Sequence, residues 1–283
     1  MSAKWNLIID VALCENCSNC VLAAKDELVG NSFPGYSAPH AAQGRGVIHI
    51  ERSVRGAAPM VDVAHVPRLC NHCADAPCVK AGGGAVTQRD DGIVIIDPVR
   101  AKGRRDLLAS CPHDAMVWND EQQLPQTWFF DAHLLDAGAP APRCVGVCPT
   151  QAIEAVKLGD DAMARRAEAE QLRPLQPALG TRPRVHYRNL HRADRCFAGG
   201  SVTARIGGRL ECVADAAVVL RADDGHERAR TRSDAFGDFR FDDLGPHSGG
   251  FQVEIQHVLH GHAERAFVLA SNSVVLGEIE LQP

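Results

Sequence analysis

Aromatic residues and long apolar runs are scarce in this chain of 283 residues. Aromatic side chains make up 5% of it, with only two tyrosines, and no run approaches the roughly eighteen apolar residues that span a membrane. The N-terminal segment MSAKWNLIID lacks the basic start and apolar core of a secretory signal. Thirty basic residues face 35 acidic ones, a net charge of −5. We therefore expect a cytoplasmic protein with no membrane span and no basic surface for nucleic acid.

Cysteine, by contrast, is abundant, with eleven residues. An odd number argues against a fully disulfide-paired secreted protein, and in a reducing compartment clustered cysteines are typically metal ligands. Nine of them lie between Cys14 and Cys148. The other two, Cys196 and Cys212, are predicted to be ordinary residues that pack in a core.

Two cysteine runs have the spacing of iron–sulfur ligands. Cys14-x2-Cys17-x2-Cys20 follows the predicted strand NLIID and precedes the predicted helix VLAAKDEL, and Cys70-x2-Cys73-x4-Cys78 is a variant of the same run. Three closely spaced cysteines combined with a distant Cys-Pro are typical of ferredoxins. A zinc knuckle remains an alternative, because C-x2-C pairs also bind zinc.

Two Cys-Pro pairs, Cys111-Pro112 and Cys148-Pro149, supply the distant ligands. In ferredoxins the cysteine before proline serves the other cluster of a pair. The motifs therefore predict two [4Fe–4S] clusters, with the second and third motifs nested inside the first and fourth. The predicted ligand sets are Cys14, Cys17, Cys20 and Cys148 for cluster 1, and Cys70, Cys73, Cys78 and Cys111 for cluster 2.

Two further cluster positions lack their ligands. One has Ala24, Trp128 and Asp131 where cysteines would stand, which leaves Cys144 alone. The other has Gly82, Ala101, Arg104 and Leu107. We predict that neither cluster forms. An alternative for the first position is a mononuclear metal site made of Asp131, His133 and Cys144.

The predicted fold is α+β, with two nested ferredoxin-like modules followed by a small antiparallel β-sandwich or barrel. The iron–sulfur region covers residues 1–160, with the first module at about 1–45 plus 120–160 and the second at about 46–119. A helix at 160–171, capped by Asp160 or Asp161, and a proline-rich linker or strap at 172–184 fall in a connecting segment, 161–198. Residues 199–283 form the sandwich, with strands predicted at 216–222, 238–244, 251–258 and 273–281. Its His257, His260 and His262 are expected in a solvated turn and not in a metal site.

The sequence resembles the iron–sulfur subunits of the molybdopterin oxidoreductases, especially the small subunits of pyrogallol–phloroglucinol transhydroxylase and resorcinol hydroxylase. The resemblance includes CSNCVLAAKDELVGNSFPGYSA (17–38), residues 68–119, DAHLLD (131–136), PRCVGVCP (142–149) and DAFGDFRFDDL (234–244). It implies a heterodimer with a large catalytic subunit that holds a molybdenum bis-pterin cofactor. This chain would then have no catalytic residues of its own, and an external electron acceptor would complete the system.

The resemblance also implies a row of clusters, with cluster 1 nearest the large subunit and cluster 2 farthest from it. The vacant positions fall between them, so we expect an interrupted relay in which cluster 2 supports the fold. An interrupted relay favours a redox-neutral transhydroxylation, or a hydroxylation whose electrons leave through cluster 1 or directly from the molybdenum. The alternatives are an electron-transfer subunit of another molybdopterin reductase and a mainly structural assembly subunit.

Overall fold

The computed structural model describes residues 2–283 and divides into two compact units. The first comprises residues up to Arg52 together with His65–Leu190, and the second comprises Ser53–Ala64 together with His191–Pro283. None of the helices in residues 2–283 has the length and apolar character needed to cross a membrane.

The first unit consists of short elements joined by long loops. Of one of its hairpins it contains only the open end, away from the turn. Its elements are β1 (Lys4–Asp10), α1 (Asn19–Leu28), β2 (His49–Ala57), β3 (Met60–Arg68), α2 (Pro77–Gly82), β4 (Val86–Gln88), β5 (Val94–Ile96), β6 (Val117–Asn119), β7 (Leu124–Gln126), α3 (Ala132–Asp136), α4 (Arg143–Gly146), β8 (Ile153–Leu158), α5 (Asp160–Ala169) and β9 (Val185–Arg188). Two short 3-10 helices lie at Arg105–Ser110 and Pro177–Leu179. The tip of the β2–β3 hairpin, residues 53–64, belongs to the second unit.

Strand β1 is the centre of a three-stranded sheet in the first unit. It pairs antiparallel with β8, with Ile9 opposite Ile153, and parallel with β9, with Leu7 opposite Val185. Leu7, Ile8 and Ile9 are all buried, so both faces of β1 are covered. This explains why the strand is a continuous apolar run, since a strand with one exposed face would alternate apolar and polar residues. The predicted strap at 172–184 thus leads into a strand of this sheet.

The second unit contains two four-stranded sheets that share one hydrophobic core. Its elements are α6 (His191–Asp194), β10 (Cys196–Ile206), β11 (Arg209–Cys212), β12 (Ala217–Ala222), β13 (Glu227–Arg232), β14 (Asp238–Leu244), β15 (Gly249–His257), β16 (Gly261–Leu269) and β17 (Val274–Glu280). One sheet has the order β11-β10-β14 with β17 also on β10, and the other has the order β13-β12-β15-β16. Alternate residues of β12, Val218 and Leu220, enter the core, as a half-buried strand requires.

A group of charged side chains around the buried Arg55 and Asp62 ties the hairpin tip to the rest of the second unit. The carboxylate of Asp62 accepts hydrogen bonds from Arg55 Nε (2.9 Å), Arg192 Nη2 (2.5 Å) and Arg240 Nη2 (3.1 Å). Asp242 pairs with two of these arginines, Arg55 at 2.7 Å and Arg240 at 2.8 Å. Burial by itself would raise the pKa of Asp62, but the guanidinium groups together hold it far below its ordinary range.

Most predicted elements of the second unit and the helix before it occur where expected, and the differences are local. Cys212 is exposed at the end of β11, so its predicted burial is wrong, whereas Cys196 packs in the core. Helix α5 is capped by Gly159, and Asp160 and Asp161 lie in its first turn instead of at the cap. A carboxylate in the first turn still stabilises the helix by its interaction with the helix dipole. The strands also begin at residue 196, earlier than the predicted boundary of 199.

Candidate metal centres

The first cysteine set lies at one end of the β1–β8 pair. Cys14 comes just after β1, and Cys148 comes just before β8. Because these strands are antiparallel with Ile9 opposite Ile153, both cysteines lie at the same end of the sheet. Cys20 follows on the second residue of α1, and Asn19 holds the helix to the Cys148 turn by a 3.2 Å hydrogen bond to the Val147 carbonyl.

The structure brings the four thiols of this set within electrostatic range of one another. Cys20 interacts with Cys14, Cys17 and Cys148, and Cys14 interacts with Cys17 and Cys148. Cys17 is exposed, Cys14 and Cys148 are half-buried and Cys20 is buried. The first set is therefore partly open to the surface of its unit.

The second set surrounds a small cavity inside the first unit. All four of its thiols, Cys70, Cys73, Cys78 and Cys111, line this cavity, together with apolar side chains that include Val94. Cys78 is the second residue of α2, as Cys20 is of α1, and proline at the first position of α2 suits a helix start. The two sets thus repeat one local design, a cysteine turn followed by a short helix.

The two Cys-Pro segments also share one backbone geometry. The amide of Ala115 donates to Cys111 Sγ at 3.5 Å, and the amide of Ala152 donates to Cys148 Sγ at 3.2 Å. The residue three positions after each cysteine has a positive φ, 51° at Asp114 and 54° at Gln151. The left-handed residue reverses the direction of the backbone so that the amide reaches the sulfur.

Burial favours the neutral form of the buried thiols unless a cation compensates their charge. Together with the neighbouring thiols, burial raises the pKa of Cys20 and of Cys78 to about 11 each. The pKa of Cys70 is raised well above the ordinary value for the same reason. The four thiols of the second set line one cavity, those of the first set lie within electrostatic range of one another, and each set contains a sulfur that accepts an amide hydrogen bond. Each set therefore fits an iron–sulfur cluster, whose iron ions would stabilise thiolates there.

A single metal ion fits the described residues less well. Among residues 2–283, no three His, Cys, Asp or Glu side chains converge closely enough to hold one ion. The predicted alternative of Asp131, His133 and Cys144 is wrong: His133 Nε2 lies 2.8 Å from Glu27 Oε1, and the Asp131 carboxylate accepts from Trp128 Nε1 at 3.1 Å and from an amide at 2.8 Å.

Aromatic rings surround one of the residues that replace ligand cysteines in the incomplete cluster position of Cys144. Trp128 is completely buried and packs against Phe130, with centroids 4.9 Å apart, and against His72 at 5.6 Å. Cys144 is also buried, and its pKa is raised by burial and by the nearby Asp131 and Cys20. The indole thus occupies space where the cluster pattern would place a cysteine.

The other vacant position is filled by apolar packing. Ala101 and Leu107 are completely buried in the same apolar cluster as Cys73 and Cys78. A Cβ atom at Gly82 would come 2.8 Å from Val86 Cβ, so a cysteine there would collide with the core. Arg104 donates to the Ala81 carbonyl at 3.3 Å, at the end of α2.

Comparison with known proteins identifies the family. The pyrogallol hydroxytransferase small subunit of Pelobacter acidigallici is 41% identical over 281 residues, which cover 98% of this chain and 99% of that protein. One subunit of the tetrathionate reductase of Salmonella typhimurium is 30% identical over 66% of this chain and 73% of that protein. This protein belongs to the iron–sulfur subunits of the molybdopterin oxidoreductases.

Two further comparisons describe the extent of the resemblance. One component of the anaerobic dimethyl sulfoxide reductase of Escherichia coli is 27% identical to this iron–sulfur subunit, over 65% of this chain and 88% of that protein. The family model of the 4Fe-4S dicluster domain matches residues 61–158. That stretch contains Cys70, Cys73, Cys78, Cys111 and Cys148 but not the Cys14–Cys20 run.

Sequence reasoning missed two hydroxyl groups in this iron–sulfur subunit. Thr150 Oγ1 lies 3.6 Å from Cys148 Sγ, and Thr181 Oγ1 lies 2.8 Å from Nε2 of His113, which lines the cavity of the second set. Thr150 could have been found, because it follows a Cys-Pro pair directly. Thr181 could not, because it is remote in sequence and only the folded strap brings it to His113.

Proposed function

We propose that this chain is the iron–sulfur subunit of a heterodimeric molybdenum enzyme that hydroxylates or transhydroxylates polyhydroxylated aromatic rings. The observation that carries the proposal is the 41% identity to the pyrogallol hydroxytransferase small subunit, which extends over essentially the full length of both proteins. The relatives from sulfur-compound reductases match only about two thirds of this chain. The catalytic site, with its molybdenum bis-pterin cofactor, would lie on the large partner subunit, and the complex would be cytoplasmic.

The proposed ligands are the two cysteine sets, each holding one [4Fe–4S] cluster. Such clusters supply one-electron transfer when bound. The chain's own residues hold the thiolates and donate amide hydrogen bonds to them, and no residue of this chain is assigned a catalytic role. The repeated turn-and-helix design of the two sets supports two nested ferredoxin-like modules, and the two sheets around one core support a terminal β-sandwich.

Purification of the complex tests this function. A tagged form of the chain, isolated without oxygen from its native host, is expected to bring with it a large chain that contains molybdenum and pterin. The complex should convert pyrogallol or resorcinol but should not oxidise a reduced dye with tetrathionate or dimethyl sulfoxide. Activity with tetrathionate or dimethyl sulfoxide alone would establish the competing reductase function instead.

Iron analysis tests the number of clusters. We expect about eight iron atoms for each small subunit, because only two ligand sets are complete and each cluster holds four. The measurement is iron per chain in the anaerobic complex, combined with electron paramagnetic resonance after reduction. About twelve atoms would show that a third cluster forms despite Trp128 and Asp131, and about four would show that one proposed set is unused.

A mainly structural subunit is the second alternative, favoured by the integration of Cys73 and Cys78 into an apolar cluster. Clusters that serve only the fold tolerate any reduction potential, whereas electron carriers must cycle between their donor and acceptor. Redox titration of the complex therefore separates these roles. Potentials outside the range of both molybdenum and any cellular acceptor would support the structural role.

A further inference from the structure

A cavity of about 320 Å³ lies in the first unit, between α1 and the β6–β7 hairpin. We call it the α1 cavity. Apolar side chains of the helix, Val21, Ala24 and Leu28, line one wall, Trp118 of β6 lines another, and the segment 40–48 completes the lining. A cavity of roughly 150 Å³ can hold benzene, so the α1 cavity has room for an aromatic ring that carries a substituent.

Hydrogen bonds hold the walls of the α1 cavity in place. The guanidinium of Arg45 forms an ion pair with the Asp114 carboxylate and donates to the carbonyls of Asp114 at 2.6 Å and of Met116 at 3.2 Å. The side-chain amide of Asn119 donates to the Pro39 carbonyl at 2.9 Å. The segment 40–48 is therefore fixed against the hairpin region, and a ligand would enter a site that is already formed.

Lys25 gives the α1 cavity a positive charge that has no partner. Its side chain reaches across to Gly46, because a Cβ atom there would lie 3.5 Å from Lys25 Cε. Within residues 2–283, no carboxylate forms an ion pair with its ammonium group. The other charges of the lining are compensated, since Arg45 pairs with Asp114, and burial lowers the pKa of His40 to about 4 and keeps that ring neutral. The chain as a whole, by contrast, has a net charge of −5.

We propose that the α1 cavity binds a small apolar monocarboxylate, with the Lys25 ammonium on the carboxylate and the apolar wall of α1 on the body of the ligand. A neutral ligand would remove water from the ammonium without pairing it. A phosphate or other polyanion fits less well, because Lys25 stands in the last turn of α1, where the helix dipole is negative. This inference does not depend on the cluster ligands or on the reaction of the complex.

Binding of cinnamate to the anaerobic two-subunit complex tests the proposal. Cinnamate combines one ring, an apolar chain and a carboxylate, and cinnamamide is its neutral analogue. We expect calorimetry to show saturable binding of cinnamate. Lys25→Met keeps most of the side chain but removes its charge, and it should weaken this binding about tenfold to hundredfold, the size of a hydrogen bond to a charged group. Cinnamamide should bind equally to both proteins.

Lys102→Met is the matched control, because Lys102 is exposed and lies outside the α1 cavity. It should leave the affinity for cinnamate unchanged. Hydrogen exchange locates the ligand: cinnamate should slow exchange in the second half of α1 and in the segment 40–48. Iron content and the presence of the large chain are measured on every sample, so that a damaged complex is recognised.

Three results would overturn the proposal. The first is a wild-type complex that does not bind cinnamate saturably. The second is equal affinity of the wild-type and Lys25→Met complexes for cinnamate, or protection by cinnamate in another part of the chain. The third is loss of the large chain from the Lys25→Met complex, which would make the α1 cavity a contact for a side chain of the partner subunit and not a site for a small molecule.

Discussion

Replacing Cys111 with alanine is expected to halve the iron content of the complex, from about eight to about four atoms per small subunit. Cys111 is the only member of the second set that comes from the Cys-Pro turn, and the other three lie on one short loop and helix. Without it, the buried thiols lose the fourth ligand that completes a stable cluster. Iron analysis and the resonance spectrum of the reduced complex measure the loss.

Cys144→Ala is the matched control for this experiment. Cys144 is more deeply buried than Cys111, but its neighbours are Asp131 and one member of the first set, Cys20. We expect this variant to keep its full iron content. Retention of all the iron in Cys111→Ala would remove Cys111 from the ligand set, and loss of iron in Cys144→Ala would give Cys144 a role as a ligand.

Replacing Asp62 with alanine is expected to destabilise the second unit by about 3 kcal/mol, at the low end of the cost of breaking a buried ion pair. The variant leaves Arg55, Arg192 and Arg240 close together without the carboxylate that all three bind, while Asp242 still pairs with Arg55 and Arg240. Partial exposure of Arg192 and Arg240 moderates the cost. Hydrogen exchange of β14 and of residues 53–64 measures the change in the free energy of local opening.

The surface pair Asp224–Arg228 provides the control, because both side chains are more than half exposed. Asp224→Ala should cost less than about 1 kcal/mol. An equal effect of the two substitutions would contradict a special role for the buried group. The two experiments are comparable because each removes one aspartate from the same unit.

The contribution of Asp62 should also depend on pH in a defined direction. Because the folded-state pKa of Asp62 lies below its unfolded value, its stabilisation is complete above about pH 4 and is lost as the pH falls through the folded pKa. The difference in stability between the wild-type protein and Asp62→Asn should therefore be constant from about pH 5 to about pH 8 and should shrink in strong acid. Hydrogen exchange across this range checks the trend, and a difference that grows towards low pH would contradict it.

Cysteine spacing predicted much of the candidate site, because ligand motifs depend on short-range geometry. The Cys14–Cys20 and Cys70–Cys78 runs and the two Cys-Pro turns each lie within one turn or helix start, so their spacing implies their shape. The positions that lack a ligand cysteine could also be identified from the spacing, and two of the residues that stand there, Trp128 and Leu107, are completely buried. The terminal strands were predictable for a similar reason, since alternation is a local pattern.

Contacts between remote segments could not be predicted from the sequence. Nothing in the proline-rich text around Thr181 indicates that its hydroxyl meets His113, which lies 68 residues earlier in the chain. The hairpin tip at residues 53–64 likewise has no pattern that assigns it to the second unit. Its contacts are with residues more than a hundred positions later in the chain, among them Arg192 and Arg240, which bind Asp62.

The distance in sequence between Asp62 and its partners has a consequence during synthesis of the protein. Arg240 follows Asp62 by 178 residues, so at about 5–20 residues per second the ribosome needs roughly ten to forty seconds to deliver it. Every proposed cluster ligand, the last being Cys148, has been made before Arg192 and Arg240. From the synthesis of Cys148 until that of Arg192 and Arg240, the nascent chain holds all of the proposed ligand thiols while the hairpin tip still lacks its arginines, so iron delivery can precede completion of the second unit.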